Sequence, residues 1–264
     1  MADVPPAWDG KGTDPWIDGE TGGWWDLAAQ LEELVFNIFW KIENKFLKKV
    51  AALFTEALDA TVAFMPTQWW KTAMQEFLDV TLGDVYRQAY EYTNGWKRPP
   101  SRDARAYAED RARDRYNQLV QFPDEVYGQL TSIITKNMNE GINPRQSARE
   151  VKKFLLSVDT PYWKNRAVSV ARTETLGAMN GGRFDSQNDI AAELGGSWAR
   201  QWVSTRDTRT RPTHIAANKQ IAALGSVFTV GGFPLQFPGD PKGPAHEIIQ
   251  CRCTTVLVEQ ETRQ

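Results

Sequence analysis

The chain has 264 residues, with Lys and Arg at 31 positions against Asp and Glu at 33, for a formal net charge of -2. That balance excludes a global electrostatic pull toward nucleic acid or anionic lipid, so any such binding must come from a local patch. With 41% hydrophobic and 24% charged residues the composition is globular, which excludes wholesale disorder and leaves room for one or two domains with a real core.

Trp is costly to leave in water, so many of the 11 Trp residues belong in a core or at a partner interface. In the tandem pairs Trp24-Trp25 and Trp69-Trp70, adjacent helical side chains diverge by about 100 degrees, so one member of each is expected to face a partner or a neighbouring helix. Cys251 and Cys253 are the two cysteines of the chain, which rules out a disulfide framework and fits a reducing compartment. The start lacks the basic and apolar signature of a secretory signal, and the apolar run from Val50 to Met65 is broken by Glu56 and Asp59, so neither export nor a stable membrane span is expected.

Residues 1–25, with Pro5, Pro6 and Pro15 among glycines, read as an extended arm. From Asp26 the apolar positions keep helical spacing until Pro66, predicting one long amphipathic helix. A second is predicted over Thr67–Tyr92 with its stop at Asn94-Gly95, and a third, densely charged, from Pro99-Pro100-Ser101 to about Pro123. A short helix after Asp124 should end at Gly141, and Asn143-Pro144-Arg145-Gln146 resembles a capping box with Pro at the first helical position. Thr160-Pro161 opens a helix that reaches Leu194 before Gly195-Gly196, with Gly181-Gly182 as a candidate break. Beyond it Trp198–Ser204, Val227–Val230 and Thr254–Val258 read as short strands between Gly and Pro turns. The fold class is therefore α+β and predominantly helical: residues 26–122 form long amphipathic helices, and residues 123–264 form a compact module with helices over 124–194 and a β-rich end over 197–260.

Several polar groups are candidates for chemistry. Glu174 lies in a helical stripe of small residues with Ala167, Ala171 and Ala178, where a carboxylate needs a cation, and Arg209 or Arg211 near Asp207 can supply one. Both histidines and both cysteines fall between His214 and Cys253. Cys251 and Cys253 project to one face of an incipient strand, so with His214 and His246 they can form a structural zinc site; the alternative is a set of small core thiols with hydrogen-bonding histidines. Arg200, Arg206, Arg209, Arg211 and Lys219 surround Asp207 as the only acid between them, which suits phosphate contact or, equally, local ion pairing. No phosphate-cradling glycine loop, HExxH or GxSxG pattern occurs, so an enzyme is not expected.

Taken together, Gly141-Ile-Asn-Pro-Arg-Gln-Ser-Ala-Arg149, Ala171-Arg172-Thr-Glu174-Thr175 with Asn180 and Arg183, Trp202 through Asp207-Thr-Arg209-Thr-Arg211-Pro-Thr-His214, and Cys251-Arg-Cys253 resemble the head-morphogenesis family of tailed bacteriophages, the MuF-like minor head proteins. The resemblance runs from about residue 125 to 258 and implies a virion component inside the capsid near the portal vertex, made in the host cytoplasm. Its implied partner is the portal protein, in multiple copies around a ring, with major capsid or scaffold protein and double-stranded DNA as further candidates. Residues 26–122 are assigned to portal docking, because long helices carrying Trp and Phe suit lying against a partner's helices. The alternative is a delivered effector with nuclease-like phosphoryl chemistry at Glu174, Asp207 and His214, which requires those groups to converge in a cleft.

Overall fold

The computed structural model describes residues 23–56, 67–95, 99–103, 106–107, 110–111, 114, 122–156, 161–205 and 207–260. Most of the expected arm, the stop at Pro66 and much of the charged third helix lie outside them. Helix α1 (Trp24–Glu56) starts two residues earlier than the apolar spacing predicts, taking in residues assigned to the arm. Leu31, Val35, Phe39, Phe46 and Val50 form its buried stripe, as the three- and four-residue spacing requires.

Helix α2 (Thr67–Glu76) continues through a π-helical turn, Phe77–Leu82, into α3 (Gly83–Thr93), so the rod expected over 67–92 is present with one internal change of phase. The wider turn keeps Phe77, Leu78, Thr81 and Leu82 all buried while Val80 is turned outward, 67% exposed. The rod stops where expected, with Asn94 N donating to Tyr90 O and Gly95 at φ +68°. Helix α4 (Phe122–Asn139) ends just before Gly141 at φ +70°. Helix α5 (Pro144–Leu156) carries the expected cap: Asn143 Oδ1 accepts from Gln146 N at 3.0 Å.

Helix α6 (Pro161–Leu194) is the central rod, flanked by α1 and α3. It is unbroken at Gly181-Gly182. A Cβ on Gly182 would stand 2.3 Å from Tyr86 O, and one on Gly181 would stand 2.3 Å from Tyr107 Oη, so these glycines admit a neighbouring backbone and ring instead of ending the helix. Tyr86 and Tyr90 of α3 then donate to Asp185 and Asp189 of α6 at 2.7 and 2.5 Å.

The C-terminal part is built from short pieces: β1 (Trp198–Val203), α7 (Pro212–Ala217), β2 (Ile221–Ala223), β3 (Phe228–Val230), β4 (Phe233–Leu235), α8 (Ala245–Ile248) and β5 (Thr254–Glu259). One antiparallel sheet has the order β2-β1-β5, and β3-β4 is a hairpin whose two-residue loop, Gly231-Gly232, takes positive φ at both positions. The strands β2 and β4 and both short helices escape sequence periodicity because three to six residues hold too little pattern.

One apolar core runs from Trp24, Phe39 and Trp70 through Tyr86 and Val126 to Trp163, Ala171, Met179 and Val256, so it crosses the division drawn at residues 122 and 123. A second cluster under the strands holds Trp202, Phe228, Val230, Leu235, Cys251 and Cys253. The tryptophan pairs behave differently. Trp69 is half-buried under the ammonium groups of Lys45 and Lys49, each 5.5 Å from its ring, while Trp70 packs on Phe39 and Phe46. Trp24 and Trp25 are both buried, and Trp24 meets a neighbouring helix as expected, with Tyr92 of α3 and Arg183 of α6 both reaching its ring. Among the described residues no helix is long and apolar enough to cross a membrane.

Two predictions follow from the α6 interfaces. Gly182→Ala should lower stability by at least about 1–3 kcal/mol, read from the denaturant midpoint, because the backbone of α3 must move to admit the methyl group. Glu43 of α1 is fully buried and pairs with Arg166, which also bridges to Glu125. Burial pushes its carboxyl from 4.5 up to about 7 despite Arg166. Between those values the native state holds the proton more tightly than the unfolded chain, so this group's contribution falls as pH rises through the window. Glu43→Gln should therefore gain on the wild type as pH is raised from about 4.5 to 7, measured as the difference between urea midpoints.

Candidate functional site

Residues 171–183 of α6 are all buried, yet they include Arg172, Thr173, Glu174, Thr175, Asn180 and Arg183. Polar side chains sealed from water need partners, and the surrounding elements provide them. Arg172 pairs with Glu32 of α1 at 2.9 Å. Glu174 receives Arg111 Nη2 at 3.0 Å in a pair that is 2% and 0% exposed. The cation is thus Arg111, from the charged stretch after Pro100, and neither Arg209 nor Arg211; Gly177 makes room for it, since a Cβ there would stand 2.2 Å from Arg111 Nη2.

The other side of α6 grips the strand region. Asn180 Nδ2 donates to Cys253 O and its Oδ1 accepts from Thr254 Oγ1, both at 2.9 Å. Arg183 Nη1 donates to Thr254 Oγ1 at 3.0 Å, with its guanidinium 3.8 Å over the Trp24 ring, and Gln187 exchanges two hydrogen bonds with Thr255. Thr173 Oγ1 accepts from Gln250 N at 2.9 Å. Positions 173, 180, 183 and 187 recur at helical spacing, so one stripe of α6 holds the backbone on both sides of Cys251-Arg252-Cys253.

Asp207 closes its own turn, accepting from Arg209 N and Thr210 Oγ1 at 3.0 Å, and pairs with both terminal nitrogens of Arg252. Partial burial opposes the charge, but Arg252 and these donors outweigh it and hold the carboxyl below its ordinary range. Arg209 is 3.8 Å from Asp207 and largely solvated. Arg211 donates to Ile249 O. Arg200 is fully buried between Phe184 and Phe228 and donates to Gln236 O and Ser226 O at 2.8 and 2.9 Å, so it cannot touch nucleic acid. Burial lowers its pKa to about 10. Arg206 lies outside the described residues, and Lys219 sits at the surface with φ +67°.

His214, on α7, meets Cys251 and Cys253 from the segment that leads into β5. Nδ1 is 3.3 Å from Cys253 Sγ and 3.6 Å from Cys251 Sγ, while Nε2 is 2.9 Å from Glu247 Oε2, which also accepts from Thr213 Oγ1 at 2.9 Å. All four residues are at most 4% exposed. A hydrogen bond from Cys253 draws the Cys251 thiol well down against its burial, and His214 reinforces the shift. Burial pushes Cys253 well up. Burial opposes protonation of His214, but the hydrogen bond and charge of Cys251 prevail and raise its pKa.

His246, expected as a fourth ligand, is not brought into this cluster. Its side chain is 65% exposed and lies against the Phe233 ring, with Nε2 3.9 Å from Glu247 Oε1. Neighbouring positions on a helical turn point about 100 degrees apart, so with Glu247 turned inward His246 is turned out. Glu247, Arg111 and Arg252 are the residues that sequence reasoning missed. Each is an ordinary charged residue whose partner lies 33 to 63 positions away, and no local pattern marks it.

A cleft of about 390 Å³ is lined by Arg102, Asp110, Asp185, Asp240 and Lys242 with other residues, but not by Glu174, Asp207 or His214. Residues 129–256 match the family model described as Phage Mu protein F like protein. No curated protein and no solved structure matches the chain.

The Glu174–Arg111 pair carries a prediction of its own. Arg111→Met should destabilise the chain by about 3–5 kcal/mol in denaturant unfolding, since it breaks a buried ion pair by removing one partner, and adding Glu174→Leu should recover much of that loss.

Proposed function

From the match of residues 129–256 to the Phage Mu protein F like family we propose that the chain is a minor head component that binds the portal on the capsid interior and assists head assembly. The observation that carries a structural over a catalytic role is how the polar groups are used. Glu174 answers Arg111, Asp207 answers Arg252, and His214 answers Glu247 and the two cysteines, so each is spent on holding separate elements together. Phosphoryl chemistry needs such groups convergent and open to a substrate, whereas Glu174 and His214 are at most 1% exposed.

The proposed docking face lies on α1 and the α2 rod, outside the matched segment. An open groove of about 420 Å³ there is lined by Ile38, Ile42, Trp69, Phe77 and Val80, with Lys41, Lys45 and Glu76 among its charged members. Its apolar floor and charged lining are suited to an amphipathic helix of the portal laid into the groove. A ring of portal subunits would take several copies of the chain around it.

Co-expression with the portal protein of the same phage, followed by native mass measurement of the purified ring, tests this. The expected result is a stable complex of defined copy number, and Val80→Asp should reduce retention about tenfold or more while leaving the unfolding midpoint unchanged, because Val80 is 67% exposed. A bare ring recovered beside folded wild-type chain would overturn the portal assignment.

A further inference from the structure

We propose that Cys251, Cys253 and Nδ1 of His214 bind one zinc ion, with Glu247 as the carboxylate that orients the histidine. This rests on the cluster's geometry and is independent of the portal reading. The three donor atoms lie within 4.8 Å of one another, with the two nitrogen–sulfur separations at 3.3 and 3.6 Å. Zinc held at about 2.3 Å from sulfur and 2.0–2.1 Å from nitrogen puts tetrahedral corners roughly 3.5–3.8 Å apart, so the cluster has about the size of a zinc site.

The way the two sulfurs approach the ring points to a shared partner. A ring nitrogen has a single in-plane position to fill, with either one proton or one lone pair, yet both sulfurs converge on Nδ1. One ion at the common focus satisfies both contacts at once. The opposite nitrogen, Nε2, is held by the buried Glu247 carboxylate, itself fixed by Thr213, which is the carboxylate–histidine pairing that sets the tautomer of a metal-bound imidazole. Both cysteines are free thiols. Among the described residues no fourth His, Cys, Asp or Glu donor joins the group.

Burial at 1–4% keeps substrates away and makes the ion a staple. It ties α7 to α8 and to the entry of β5, in a region whose elements are three to six residues long and whose separate core is small. Such a region gains folding free energy directly from metal binding.

The test uses the full chain, produced with zinc in the medium and passed through gel filtration with a weak chelator before elemental analysis. About one zinc per chain is expected, and refilling with cobalt should give the thiolate charge-transfer band and strong visible absorption of a tetrahedral sulfur site. Cys251→Ser and Cys253→Ser should each lose the ion. Glu247→Gln should weaken binding about 10- to 100-fold, and His246→Ala should retain it in full. A folded chain that emerges without zinc, or equal retention in the wild type and both serine variants, overturns the proposal; loss of zinc in His246→Ala overturns the ligand set. Should the serine variants fail to fold, titrating wild-type thiols with a mercurial reagent decides: two thiols blocked per zinc released supports the site, and no release overturns it.

Discussion

Helix α6 passes through the middle of the molecule with residues 171–183 buried on every side, and that enclosed stretch is rich in polar groups. A polar side chain sealed from water without a partner costs on the order of 1–3 kcal/mol, and more if it is charged. The helix can therefore sit where it does only if its neighbours arrive with matching groups. Glu32 of α1 meets Arg172, Arg111 meets Glu174, and Tyr86 and Tyr90 of α3 meet Asp185 and Asp189. Each match specifies one register of one element against α6, which apolar packing alone would leave more permissive.

The same constraint reaches the strand region. Asn180, Arg183, Gln187 and Thr173 hold the backbone from Gln250 to Thr255, so the segment carrying both cysteines is fixed from below by the helix. Above it, Arg252 is drawn to Asp207 while Cys251 and Cys253 turn toward His214. Alternation along an extended segment separates the arginine from the two thiols, and one short run serves an ion pair on one face and the proposed zinc on the other.

This arrangement gives a physical use to the sequence blocks that resemble the MuF-like family. The blocks that look functional in the sequence, Ala171-Arg-Thr-Glu-Thr175, Asp207-Thr-Arg-Thr-Arg211 and Cys251-Arg-Cys253, meet in a shared set of contacts. They interlock a helix, a turn and a strand. Such a lock suits a part that must keep its shape, whereas a cleft for chemistry is better served by groups left unpaired.

Among the described residues the sequence by itself determined the long helices, two of their ends and their order, because apolar periodicity, Asn143 before Pro144 and Gly95 after Asn94 act within a few residues of themselves. It also located the cluster of His214, Cys251 and Cys253, since rare residue types crowded into one stretch are visible without coordinates. Partner choice was decided by tertiary structure. Glu174 takes Arg111 instead of Arg209 or Arg211, Glu247 turns inward where His246 was expected, Arg200 is sealed beneath two rings, and Gly181-Gly182 admit neighbours instead of ending a helix. Which of two adjacent side chains points inward, and which of several arginines reaches a carboxylate, depends on the approach of elements distant in sequence, and that information exists only once the chain has packed.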